Sequence, residues 1–220
     1  MKLVRLFEVK GKFVTFEGPD GSGKTSVLKA IITHLDQMGI NYLETREPGG
    51  NRIAEAIRQV ILDKNLTEMD ARTEALLYAA ARRQHLVETV FPALDSGKLV
   101  LSDRYVDSSI VYQGAGRGIG EDAVAQMNNF ATGGLVPNLT LYFDVAPEIG
   151  LQRIKKYRQN EIDRLDTESL AFHQRVHEAY LKLAQQETER IIKIDANQPL
   201  KNVIDDAFSQ LSNKLPNFFR

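Results

Sequence analysis

Short apolar runs alternate along this chain with longer stretches of helical period. Residues 12–16, KFVTF, read as a short buried strand. From Thr25 to Met38, Val27, Ile31 and Leu35 recur at four-residue steps, which predicts a helix, and Gly39 is a natural stop. A second strand follows at 41–46, NYLETR, closed by EPGG. Ile53, Ile57 and Ile61 make the next helix amphipathic. A long helix is predicted over Ala71–Leu94, with Leu76, Ala80, Val87, Phe91 and Leu94 as its apolar face. Strands are expected at 98–105 (KLVLSDRY), 139–145 (LTLYFDV) and 190–195 (RIIKID), with helices between them and after the last. The pattern lapses at Lys155–Asp166, a polar stretch expected to be mobile.

Five strands alternating with helices argue for an α/β fold, a parallel sheet covered on both faces. At 220 residues and 43% apolar content, one domain is the expectation, with residues 1–11 as an extension ahead of the first strand. The net charge of -1 shows no excess of the kind a general nucleic-acid binder carries. Without cysteine there is no disulfide, thiol nucleophile or thiolate metal site, which fits a reducing compartment. No apolar run approaches the ~20 residues of a membrane span, and the start lacks a signal-peptide core. A cytoplasmic protein without membrane or nucleic-acid partners is expected. His173 and His177, four apart on a predicted helix, are expected as a solvent-facing pair and not as a metal site.

The most informative polar stretch is FEGPDGSGKTS, 16–26. Gly18, Gly23, Lys24 and Thr25 satisfy G-x-x-x-x-G-K-[ST], between a strand and a helix as the motif requires. Glycines let backbone N–H groups curl round phosphate, and the helix N-terminus adds positive potential. Lysine reaches the β- and γ-phosphates, and the threonine hydroxyl serves Mg²⁺. The whole loop, including Pro19, Asp20, Gly21 and Ser22, is therefore a candidate ATP site.

Asp103 ends an apolar strand, where a magnesium-organising carboxylate belongs in a P-loop fold, and Arg104 follows it. No N-K-x-D tetrapeptide supports a guanine-specific GTPase. A kinase must neutralise charge between two phosphorylated partners. Tyr78 and Arg82 share a helix face, an aromatic surface paired with a guanidinium; Arg83 faces away. Arg58 lies four after the small Ala54. Ser108 with Tyr112 and Ser109 with Gln113 form two more such pairs, which either read a nucleobase and sugar or cap a helix; Asp107 and Ser108 are both suitable caps. Other P-loop nucleotide kinases, an ATP-sensing interaction module and a nucleic-acid-stimulated ATPase are the rival classes.

The set FEGPDGSGKT (16–25), TREPGG (45–50), RTEALLYAAARRQH (72–85), LSDRYVDSSIVYQG (101–114) and NEIDRLD (160–166) resembles thymidylate kinases, the bacterial ones above all. The likeness runs in order from about Lys12 to Leu211. It implies a P-loop nucleoside monophosphate kinase fold with a short lid at 155–166, a homodimer, ATP as donor, dTMP as acceptor and Mg²⁺ as cofactor. By resemblance, Lys24 and Thr25 serve the ATP phosphates and metal, and Asp103 organises metal-bound water. Asp20 lies near the acceptor's sugar, and Glu47 borders the acceptor pocket. Arg58, Arg82 and Arg104 surround the acceptor phosphate and base. Tyr78 stacks on thymine, Ser108, Ser109 and Gln113 line the base side, and Tyr112 walls the sugar. Some family members carry an arginine inside the P-loop. Here Pro19–Ser22 has none, and RIKKYRQNEIDR (153–164) supplies Arg153, Arg158 and Arg164 instead, of which Arg153 and Arg158 are the first candidates for the transferring phosphoryl. Asn51 and Arg52 depart from the small residues and proline common in relatives.

Overall fold

The computed structural model describes residues 10–157, 164–165 and 168–219. Five strands, β1 (Lys12–Glu17), β2 (Tyr42–Arg46), β3 (Leu99–Asp103), β4 (Leu139–Asp144) and β5 (Ile191–Asp195), form one sheet in the order β2-β3-β1-β4-β5. Every pairing is parallel, as the alternation of elements predicts. β1 is central, and the chain passes from β3 on one side of it to β4 on the other. The crevice beyond the carboxyl ends of β1 and β3 is thus a switch point, the usual ligand position in such sheets.

Alternation along β1 splits the core. Val14 and Phe16 face helices α1 (Lys24–Gln37) and α9 (Leu200–Lys214), where Val27, Leu28, Ile31 and Leu35 are buried. Each such side chain contributes roughly 1.5–3 kcal/mol on burial. Phe13 faces the other way, into a cluster with Leu86, Val90, Leu94 and Tyr105. Glu17 lies on that second face too, wholly buried under helix α5 (Val106–Ser109) and helix α8 (Leu170–Gln186).

The predicted helix at 71–94 is α3 (Ala71–His85), a wider π-type turn over Leu86–Val90, and α4 (Phe91–Asp95). Its expected apolar face is a correction. Leu76, Ala80 and Val87 are exposed, Leu76 by 58%. The buried face instead carries Glu74, Tyr78, Arg82 and His85 beside Ala75 and Ala79. Those polar groups find buried partners, so the hydrophobic pattern misidentifies the inner face. The strand predicted at 98–105 ends at Asp103, because Arg104 takes a positive φ of 72° and turns the chain into α5.

Asn51, at the departure from the common loop sequence, caps α2 (Arg52–Leu62), its side chain accepting from the Ala54 N–H. Asp107 and Ser108 do not cap α5. Glu17 does so from the sheet, accepting from the N–H groups of Tyr105 (2.7 Å) and Ser108 (3.4 Å). Asp107 pairs with Arg190 at 2.6 Å. The histidine pair is likewise corrected: His173 is buried, and His177 bonds Asp144 at 2.7 Å. Helix α7 (Pro147–Tyr157) continues into the stretch expected as a lid. Arg158 and the rest of that stretch, apart from Arg164 and Leu165, lie outside the described residues, as do residues 1–9 of the extension.

Candidate active site

A cleft of about 850 Å³ runs across the carboxyl end of the sheet. The loop between β1 and α1 lines one end through Asp20–Thr25. Gly18, at φ 144°, leaves no room for a side chain: a Cβ would meet the Phe143 carbonyl at 2.6 Å. Gly21, at φ 76°, abuts the backbone of Gly150 on α7. The sharp turn therefore requires glycine at both positions. Lys24 is buried and folds back on this loop, donating to the carbonyls of Gly18 (2.8 Å) and Pro19 (2.9 Å). Burial, assisted by the Arg104 charge, brings its ammonium down to about 8. Asp20, Asp103 and Glu17 oppose that fall, and a bound phosphate would oppose it further.

Arg104 stands between this loop and the opposite wall. Its guanidinium donates to Asp20 at 2.7 Å, to the Gly18 carbonyl at 3.1 Å and to Ser108 Oγ at 2.9 Å. It lies 5.1 Å over the Tyr112 ring, whose hydroxyl donates to Asp20 at 3.1 Å. Burial raises the Tyr112 phenol; burial also works against the Arg104 cation, but Asp20 above all, with Asp103, holds it well above its ordinary range. Beside it, Thr25 Oγ1 donates to Asp103 at 2.9 Å.

The far wall comes from α3, α5 and the π-type segment Ile110–Gly116. Arg82 is 2% exposed, yet it reaches the cleft. It donates to Glu47 (2.7 Å), to Ser109 (3.1 Å), to the Tyr105 carbonyl (3.0 Å) and to Asn128. Glu47 in turn meets His85 Nδ1 at 3.0 Å, and His85 Nε2 lies 2.6 Å from Thr45. Arg58 donates to the Pro48 carbonyl at 3.0 Å. Tyr78, Ser108, Ser109, Tyr112 and Gln113 all line the same cleft. Gln113 also donates to Glu74 at 2.8 Å, while Arg83 points away to the Ala131 carbonyl.

Of the three arginines expected to serve a lid, Arg153, on α7, reaches the P-loop end, donating to the Gly21 and Ala196 carbonyls. Arg164 goes to the other end, 2.5 Å from buried Glu74, and is not a solvated charge. No cluster of three metal-ligating side chains occurs among the described residues. Mg²⁺ keeps most of its water and binds through one or two protein oxygens plus phosphates. Thr25 and Asp103, adjacent at the cleft, are such a pair.

A family model described as thymidylate kinase matches residues 16–207. The chain belongs to the thymidylate kinase family. It is 64% identical over 206 residues to the thymidylate kinase of Ligilactobacillus salivarius, covering 93% of this chain and 99% of that one. The enzyme of Latilactobacillus sakei is 65% identical over 195 residues, 88% of this chain and 91% of that one. That of Lactiplantibacillus plantarum is 60% identical over 209, 94% and 95%. The P-loop nucleoside monophosphate kinase fold goes with this membership.

For this thymidylate kinase family member, sequence reasoning missed two parts of the site. Ala196, Gln198, Leu200 and Val203 line the cleft beside Arg153, from the turn after β5 and the start of α9. They carry no motif, only their position at a strand's carboxyl end. Glu17 and Tyr180, under Arg104, were also passed over, since neither reaches the cleft surface.

Proposed function

We propose that this chain transfers the γ-phosphoryl group of ATP to the 5′-phosphate of dTMP, giving dTDP and ADP for dTTP synthesis. One observation carries the reading at the level of the site: a single cleft joins a P-loop to an aromatic, arginine-bearing wall, with Arg104 between them. An ATP sensor needs only the first half. The identity to thymidylate kinases over nearly the whole chain supports the choice of nucleotide.

Transfer is in line, without a covalent enzyme intermediate. The acceptor phosphate is already anionic, so positioning and charge neutralisation do the work of catalysis. Lys24 holds the ATP phosphates within the cradle of Gly18–Thr25. Arg104 receives the acceptor phosphate, and Arg153 and Arg158 neutralise the migrating group. Arg58 and Arg82 hold the acceptor side. Tyr78 stacks on the thymine, with Ser108, Ser109 and Gln113 around it, while Asp20 and Tyr112 border the sugar and Glu47 the acceptor pocket. Ala196, Leu200 and Val203 give the donor's adenine an apolar seat, with Gln198 beside it. Thr25 and Asp103 would hold Mg²⁺, partly through water; that ion supplies positive charge on the transferring phosphate.

The whole chain is read as one kinase domain acting in the cytoplasm on small nucleotides and not on nucleic acid. Its near-neutral charge and lack of cysteine support that, and no described helix is long and apolar enough to cross a membrane. A homodimer is supported by the outward apolar row on α3.

The test is ADP release by purified protein offered dTMP, dUMP, dCMP, AMP, GMP or thymidine. dTMP should be preferred, with dUMP poorer but used, since one methyl contact is worth about 1–3 kcal/mol. Strong use of thymidine but not dTMP would overturn the reading, as would near-normal turnover in Lys24→Ala.

A further inference from the structure

Arg104 is aimed in part from behind, by Glu17 and Tyr180, which are buried under the cleft. It holds a φ of 72°, which is strained for arginine, so its direction depends on what surrounds it. One Nη1 contact is Ser108 Oγ at 2.9 Å. That hydroxyl donates onward to Glu17 Oε2 at 2.5 Å and lies 3.0 Å from the Tyr180 hydroxyl. Tyr180 donates to the same Glu17 oxygen at 2.9 Å. The other oxygen, Oε1, accepts from the backbone N–H groups of Tyr105 and Ser108. Glu17 therefore collects four donors, all from the turn that carries Arg104 or from the helix packed over it. Its burial is complete.

We propose that Glu17 is a positioning residue for the acceptor phosphate: with Ser108 and Tyr180 it fixes the direction of the Arg104 guanidinium. The ionised carboxylate accepts all four donors. Ser108 then has its proton on Glu17 and its lone pairs free for Arg104. A protonated Glu17 has to donate one bond itself. Ser108 or Tyr180 must turn to accept it, and the lone pair offered to Arg104 is contested. Positioning through Glu17 is therefore tied to its ionisation. Burial, helped by Asp107, raises this carboxyl to about 7, while Arg104, Ser108 and Tyr180 oppose the rise. The other charges that face it are Lys24 from α1 and Arg190 from the turn before β5.

The proposal rests on the phosphoryl-acceptor reading of this cleft. Steady-state kinetics against dTMP and ATP, from pH 5.5 to 9, test it with the parent enzyme, Glu17→Gln and Tyr180→Phe. For Glu17→Gln the KM for dTMP should rise about tenfold, the effect of losing one charge-assisted hydrogen bond, while the KM for ATP stays close to the parent's. The parent's kcat/KM for dTMP should fall on the acid side of about 7, beyond what the phosphate's own ionisation causes, and Glu17→Gln should lack that extra limb. Tyr180→Phe keeps the ring stacked 4.9 Å from Tyr142 and removes one donor to Glu17. Its acid limb should move to higher pH, because that donor holds the carboxyl down. This variant keeps the test open if Glu17→Gln does not fold. Equal losses toward dTMP and ATP, or a pH profile unmoved in both variants, would overturn the proposal. A parent without dTMP-dependent turnover would instead overturn the reading of the cleft.

Discussion

Arg82 shows how far a cleft-lining side chain can be built into a core. It is 2% exposed, and four different groups accept from it. Breaking a buried ion pair from one side leaves its partner's charge uncompensated. Arg82→Ala strands Glu47, and should cost about 3–5 kcal/mol in urea unfolding as well as acceptor affinity. Lys24 gives a different prediction. Burial brings its ammonium down to about 8, and bound phosphate favours the charged form. Lys24 then takes up no proton on ATP binding below that pH and takes one up above it. Once the ATP phosphates are fully ionised, the Kd for ATP should rise above about 8 by up to about tenfold for each further pH unit, measurable by calorimetry.

At the scale of elements, α7 sits on the P-loop through a backbone approach between Gly150 and Gly21. A Cβ on Gly150 would meet the Asp20 carbonyl at 2.6 Å. Alanine would gain roughly 0.5–1 kcal/mol of helix propensity, against about 1–3 kcal/mol for overpacking against fixed backbone. Displacement wins on those magnitudes. Gly150→Ala should tilt α7 off the loop and carry Arg153 with it, and a fall in kcat larger than any fall in urea midpoint would show it. Helix α3 illustrates a limit of pattern reading. Its true inner face is half polar because the cleft lies there, and Glu74, Arg82 and His85 are each satisfied by residues remote in sequence. No local periodicity records such partners.

For the whole molecule, the outward face of α3 is the feature left unexplained by one chain. Leu76 and Val87 belong to it, Ile53 and Val60 stand exposed on neighbouring α2, and Phe130 is 90% exposed on α6 (Glu121–Thr132), which also packs against α3. Apolar side chains gathered on adjacent helices suit an isologous interface between two copies. The parent should sediment as a dimer, and Leu76→Glu with Val87→Glu as a monomer.

By itself the sequence determined the five strands, the parallel sheet and the phosphate loop, and it singled out Arg58, Arg82, Arg104 and Arg153, which line the cleft. Each of these is a local signal: strand period, glycine spacing, or a motif in which neighbouring residues act together. Only the tertiary structure decided the direction of those side chains. It brought Glu17 from β1 and Tyr180 from α8 behind Arg104, and it sent Arg164 to Glu74 at the far end of the cleft from Arg153. It also turned the apolar row of α3 outward. Partners such as Glu17 and Tyr180, 163 residues apart, meet because the sheet and its covering helices bring them together, and that proximity has no period or spacing along the chain.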